Sequence, residues 1–173
     1  AEPRPAPEGL FSRPHLVLQV QVETDNGQVQ VYVINNHFVS MSSGVDATEP
    51  RRTAQAMWNV SLVDEILETD PQALVAIIGD LNSFFVSAPI QALRTGGLQH
   101  VFDTLPENER YTYIYQGESQ VLDHILLTPS FLEALSRVEV LHVNSDYPLP
   151  MPDDTSPQHK SDHDPVVAFF NIP

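Results

Sequence analysis

Leu16, Leu18, Val20 and Val22 alternate with polar residues, and Val29, Val31 and Val33 do the same, which is the period-two pattern of strands with one face on a core. Asp25-Asn26-Gly27 lies between the runs, and Asn and Gly accept the positive φ of a tight turn. A β-hairpin is predicted, its second strand running through Ile34 into Asn35, Asn36 and His37. Beyond a polar loop, Ala54, Trp58, Leu62 and Ile66 recur at every fourth position, the stripe of an amphipathic helix from Pro50 to about Leu67. Pro50 suits its start and Asp70-Pro71 forbids continuation. Arg51 and Arg52 at that start oppose the helix dipole, so a structural salt bridge, or alternatively a carboxylate or phosphate of the site, is expected to hold them.

Leu74 to Gly79 is a continuous apolar run, the sign of a strand covered on both faces. A helical piece follows at Pro89 to Arg94, closed by Gly96-Gly97. Tyr111 to Gln116 alternates as a strand, Gly117-Glu118-Ser119 turns it, and Val121 to Leu127 returns as its expected neighbour. Val138 to Val143 and Val166 to Phe170 complete the strands. Helices interleaved with strands make the fold α/β with layered sheets. Residues 144–160 hold four prolines and no periodicity, a long irregular stretch expected to border a substrate cleft.

Polar chemistry collects where these strands end. Val31–Ile34 runs into Asn35, Asn36 and His37; Leu74–Ile78 into Gly79, Asp80, Leu81 and Asn82; Asp123 and His124 precede Ile125; and Ser161, Asp162, His163, Asp164 and Pro165 precede the last strand. Strand ends are where α/β proteins keep their sites. A carboxylate between Leu122 and Ile125 needs a charged or hydrogen-bonding group to meet it, and His163 is the candidate. Asp164 is read as a cap of the turn before Pro165. Tyr111, Tyr113 and Tyr115 share one strand face, a pattern that more often packs than stacks on bases. His15, His100, His124, His142 and His159 read as ordinary.

The phrases Ile34-Asn35-Asn36-His37-Phe38, Gly79-Asp80-Leu81-Asn82, Leu122-Asp123-His124-Ile125 and Ser161-Asp162-His163-Asp164-Pro165 occur in the order seen in the endonuclease/exonuclease/phosphatase superfamily. Arg52, Gln55, Ala56 and Glu109-Arg110-Tyr111-Thr112-Tyr113 agree, and the chain resembles the secreted bacterial nuclease-like branch from about Leu10 onward. The resemblance implies a layered α/β sandwich of the deoxyribonuclease I-like type, with a mixed, mostly antiparallel sheet under covering helices. It implies metal-dependent phosphodiester hydrolysis of nucleic acid, and an extracellular or cell-surface setting. His163 resembles the catalytic histidine oriented by Asp123, Asp80 the residue that positions or deprotonates water, and His37 the histidine that meets a phosphoryl oxygen. Asn82 resembles a phosphate donor or metal-side ligand and Asp162 a metal ligand, so Asp162, Asp80 and Asn82 form the implied metal set. Asn35 would steady the loop under His37. Oxygen ligands favour Mg2+, or Mn2+ or Ca2+, over zinc.

The family's domain is larger, on the order of 250 residues, and its early Asn and metal-binding Glu have no counterpart before His37. Residues 10–173 are therefore expected to be the C-terminal portion of the domain, with residues 1–9 a linker or truncated region. A half sheet would expose an apolar edge and face, which predicts a homo-oligomer or pairing with the missing N-terminal half. A catalytically incomplete scaffold or binding module is the rival outside enzymes, and a lipid or inositol phosphate phosphoesterase the rival within them.

Charge shifts this picture in one respect. Net charge is -15, with 23 acidic residues against 8 basic. No basic face is available for neutralising many phosphates, so tight non-specific nucleic-acid binding by this segment is not expected. A bound divalent cation can still bridge carboxylates to phosphate. Cysteine is absent, which excludes a disulfide framework, a thiolate zinc site and a cysteine nucleophile. No apolar stretch reaches the length of a membrane span, so a soluble chain is expected.

Overall fold

The computed structural model describes residues 4–172. In chain order the elements are β1 (Leu16–Thr24), β2 (Gly27–His37), α1 (Val45–Thr69), β3 (Leu74–Asp80), α2 (Ala88–Thr95), β4 (Gln99–His100), β5 (Tyr113–Tyr115), β6 (Glu118–Gln120), β7 (Asp123–Leu127), α3 (Pro129–Glu133), β8 (Leu135–Val140) and β9 (Val166–Phe170). Five strands form one mixed sheet in the order β1-β2-β3-β7-β4, and β5-β6 and β8-β9 are separate two-stranded sheets. The predicted hairpin is present, paired from Leu16↔Asn35 to Thr24↔Gly27. β3 runs parallel to β2 and antiparallel to β7.

The apolar run of β3 explains the layering. Val75 and Ile77 enter a core with Ile34, Ala56, Leu62 and Leu93, beneath α1 and α2. Ala76 and Ile78 face the opposite core, with Val31, Phe131, Val138 and Val166. Buried on both faces, the strand needs the continuous apolar sequence it has. The result is the expected layered α/β arrangement of helices, mixed sheet and smaller sheet. On β1, however, Leu16, Leu18 and Val20 remain 52%, 41% and 42% exposed. Their register opposite Asn35, Val33 and Val31 points them toward the layer of β8 and β9, which does not extend over them.

Three local expectations are corrected. α1 begins at Val45, five residues before Pro50, which lies inside the helix. Its first turn is held by Arg52, whose Nη2 donates to the Val45 carbonyl at 3.1 Å and whose Nη1 donates to Thr48 Oγ1. Among the described residues neither Arg51 nor Arg52 forms a salt bridge, and neither lines the cleft: Arg51 donates to the carbonyls of Leu10 and Gly9 and to Ser12 Oγ. Finally, β5 pairs with β6 rather than with β7, because the segment after Gln120 crosses into the main sheet beside β3.

Gly79 allows β2 and β3 to lie close together at their ends. It has φ +119°, and a Cβ there would lie 2.0 Å from the Asn36 carbonyl oxygen. Only glycine fits so close an approach of β2 to β3.

Candidate active site

The site is a row across the sheet. His37 lies opposite Asp80 in the β2/β3 register, and Asp80 opposite Asp123 in the β3/β7 register. In-register neighbours share a face, so three strand ends present three polar side chains side by side. His37 Nε2 is 3.6 Å from Asp80 Oδ2. A short bridge between Tyr113 and His163 brings in the fourth group, and His163 Nδ1 lies 2.6 Å from Asp123 Oδ2. Asp123 thereby meets the imidazole predicted for it.

The charges of the row act on one another. Burial pushes the Asp80 carboxyl up from the ordinary range and Asp123 pushes the same way, against the Asn82 amide and the two histidines. The bond to Asp123 raises His163, with burial opposing and Asp80 and Asp162 assisting. The Asn82 amide donates to Asp80 Oδ1 at 2.9 Å, an Asx-type turn that leaves Oδ2 facing His37. Asn82 adopts φ +45° and its Nδ2 donates to the Phe38 carbonyl at 3.1 Å.

His37, Asp80 and His163 line a cleft of about 760 Å³ together with Arg13, Asn82 and Tyr113, while Asp123 is not among the lining residues. Met41, Val45, Phe84 and Leu122 form its apolar walls. Arg13 was not anticipated. Its Nη1 is 2.6 Å from His37 Nδ1 and 3.0 Å from Nε2, and since a guanidinium only donates, the ring nitrogen facing it must accept. No periodicity or motif reading marks a lone arginine ahead of a strand. Thr112, likewise unforeseen, is fully buried. Its Oγ1 accepts from the amides of Leu122 and Asp123 at 3.1 Å each, while its carbonyl accepts from the Asp164 amide at 2.8 Å.

Asp164 is more than a turn cap. Its side chain is buried and accepts from the amides of Asn144 and Ser145, the Ser145 hydroxyl and His142 Nδ1. Burial pushes this carboxyl up, yet the bonds from Ser145, His142 and Asn144 leave it below the ordinary value. Asn144 Nδ2 donates to the His163 carbonyl at 2.7 Å. The long loop therefore anchors His163 through its first residues, but none of residues 144–160 lines the cleft, contrary to expectation. Tyr111 leaves the strand face of the other two tyrosines and stacks on His142 at 4.0 Å. Tyr113 and Tyr115 remain side by side, ring centroids 6.4 Å apart.

The implied metal set is only partly assembled. Asp80 and Asn82 line the cleft, and Asn82 Nδ2 is committed to Phe38, which leaves its Oδ1 available as a hard oxygen donor. Asp162 is exposed and outside the lining. Among the described residues no three His, Cys, Asp or Glu side chains form a group that could hold an ion. The chain thus fits one side of a hard-cation site and not a closed cage. Asn35 is exposed, whereas Asn36 is buried and exchanges amide hydrogen bonds with Asn59 of α1, fixing the strand that carries His37.

A family model described as the Endonuclease/Exonuclease/phosphatase family matches residues 4–146. The chain belongs to this family. The matched span holds His37, Asp80, Asn82 and Asp123, while Asp162 and His163 follow it. No curated protein matches the chain. Among solved structures, the catalytic domain of APE2 from Xenopus laevis is similar with a TM-score of 0.65 and 16% identity, over 90% of this chain and 55% of that one. A family protein from Bacteroides thetaiotaomicron has a TM-score of 0.58 and 17% identity, over 91% of this chain and 56% of that one. A 3′ phosphatase from Neisseria bound to product DNA hairpin has a TM-score of 0.55 and 21% identity, over 84% and 63%. This member of the family shares their fold and spans a little over half to under two thirds of their length. No helix of its described residues is long and apolar enough to cross a membrane.

Proposed function

We propose that this chain carries the catalytic histidine side of a phosphoesterase that hydrolyses phosphodiesters, with nucleic acid as the leading substrate class. The observation that supports this best is the His163–Asp123 pair, 2.6 Å apart, on the same rim as Asp80 and His37. Asp123 accepts from Nδ1–H, so the other ring nitrogen, Nε2, is free to take a proton from water. Asp80 aligns that water beside His163, and its raised carboxyl allows it to share the proton. His37, with Arg13 donating to it, faces the phosphoryl oxygens or the leaving oxygen. Membership of the family supports hydrolytic chemistry at this rim.

Asp80 and Asn82 are the cleft residues that would contribute to holding a divalent cation, most simply Mg2+, with Mn2+ or Ca2+ as substitutes, and Asp162 is the third ligand that the resemblance implies, standing outside the cleft lining. When bound there, such an ion would supply positive charge against the charge developing on phosphoryl oxygens. The remaining ligands would come from outside this chain's row, by pairing with an N-terminal half or a second copy. A parent protein acting outside the cell fits the resemblance to secreted nucleases. The paired rings of Tyr113 and Tyr115 at the cleft suit a flat base.

A net charge of -15 favours a second reading, in which the substrate is a lipid or inositol phosphate rather than a long polyanion. The deciding experiment measures hydrolysis of bis-p-nitrophenyl phosphate, plasmid DNA and an inositol phosphate, with magnesium or manganese against a chelator, and with His163→Ala as control. Metal-dependent cleavage of the DNA, lost in the variant, supports the proposal. Turnover of the inositol phosphate alone supports the second reading, and no turnover by folded protein supports a scaffold or binding role.

A further inference from the structure

His124 follows Asp123 on β7, and strand alternation turns it to the opposite face, into the core. His124 and His100 are each 1% exposed. His124 Nε2 is 2.8 Å from the Ser83 carbonyl, which only accepts, so that nitrogen carries a hydrogen. His124 Nδ1 is 2.8 Å from His100 Nε2, and His100 Nδ1 accepts from the Phe102 amide at 3.0 Å. Only one assignment satisfies all three contacts with two neutral rings. Phe102 N–H donates to His100, His100 Nε2–H donates to His124, and His124 Nε2–H donates to Ser83.

The surroundings hold this arrangement. Phe85 and Phe102 pack on the His100 ring with centroids 4.9 and 5.0 Å away. Arg94, paired with Asp103, and Arg110 lie over Phe85, and their charges oppose protonation of His100. Asp123 on β7 acts on His124 in the opposite sense. A third ring proton would set two N–H groups against each other or against the Phe102 amide.

The relay ends on the loop that follows β3. Ser83 is fully buried and follows Asn82, whose φ of +45° lies in the left-handed region that non-glycine residues seldom adopt. Asn82 is tied on its other side to Phe38 and Asp80. We infer that His100 and His124 are positioning residues, a buried two-ring relay that fixes the Ser83 carbonyl and so aims Asp80 and Asn82 into the cleft. The structural arm stands on hydrogen-bond geometry alone; only the kinetic arm rests on the phosphoesterase reading.

The test begins with the wild-type chain at pH 7, by long-range ¹H–¹⁵N spectroscopy of the histidine rings. Both rings are expected neutral, with hydrogen on Nε2 and slow exchange of both ring protons. His124→Gln can keep a donor to Ser83 and an acceptor for His100, and should leave amide exchange at Asn82 within about threefold of wild type. His124→Phe keeps volume without either bond, and should speed exchange at Asn82 tenfold or more while amides of β1 and β2 stay unchanged. In the kinetic arm, kcat on bis-p-nitrophenyl phosphate falls at least tenfold in the Phe variant with KM little changed, and the Gln variant recovers most of it. Charged rings or hydrogen on Nδ1 in the wild type overturn the relay, as does unchanged Asn82 exchange in His124→Phe. If the Phe variant does not fold, the wild-type tautomers and the Gln variant decide. If the wild type cleaves no phosphodiester, the functional proposal fails and the spectroscopic arms still decide this one.

Discussion

His163 Nδ1 and Asp123 Oδ2 stand 2.6 Å apart, joining the chain's last segment to the end of a central strand forty positions earlier. The bond fixes which ring nitrogen faces the cleft. His163→Ala should lower phosphodiester turnover by about 10²–10⁴, measured on bis-p-nitrophenyl phosphate. Asp123→Asn should lower kcat while leaving the fold intact, read by circular dichroism and turnover on the same sample.

The pH dependence of that turnover follows from the same pair. The bond to Asp123 raises His163 above its ordinary value of 6.5, and a base must be neutral to take a proton. Activity should therefore climb with pH through an apparent value above 6.5, and Asp123→Asn should move that limb to lower pH. Stability has the opposite sign: a raised histidine stabilises the fold fully below 6.5, and that contribution is lost as pH rises through the raised value. A limb unmoved in Asp123→Asn would dissociate it from His163.

His124 supplies the acid side. Burial holds it at about 4, against 6.5 for a free histidine. The unfolded chain takes up its proton first, so stability should fall as pH drops from 6.5 and level off below about 4. One such group accounts for about 3 kcal/mol. Urea melts across that window should show the slope, reduced in His124→Gln.

Arg13 donates to His37 in the cleft. A charge-assisted bond of this kind contributes about 1.5–3 kcal/mol. Arg13→Ala should cut kcat/KM by about tenfold or more, with Arg13→Lys intermediate because lysine keeps charge without the planar fork. Equal rates in all three proteins would remove Arg13 from the site.

Gly79→Ala places a methyl where the Asn36 carbonyl lies, at a φ of +119°. The strain and the clash together should cost more than about 3 kcal/mol, visible as a lower urea midpoint or failure to fold. A variant of wild-type stability would mean that β2 and β3 can separate there.

Sequence by itself determined the elements whose signal is local. Alternating valines with an Asn-Gly turn specify the hairpin, and the unbroken run from Leu74 specifies a strand buried twice, because side-chain direction follows from backbone period. Four polar strand ends were legible for the same reason, since Asp, His and Asn interrupt apolar runs there. Tertiary structure alone decided what depends on register and on neighbours far along the chain. Parallel pairing of β2 with β3 and antiparallel pairing of β3 with β7 put His37, Asp80 and Asp123 in one row. The start of α1 ahead of Pro50 depends on Arg52 folding back over Val45. Arg13, Thr112 and the ring relay of His100 and His124 carry no periodic signature, because each acts through hydrogen bonds to residues far along the chain, made possible only once the strands are in place.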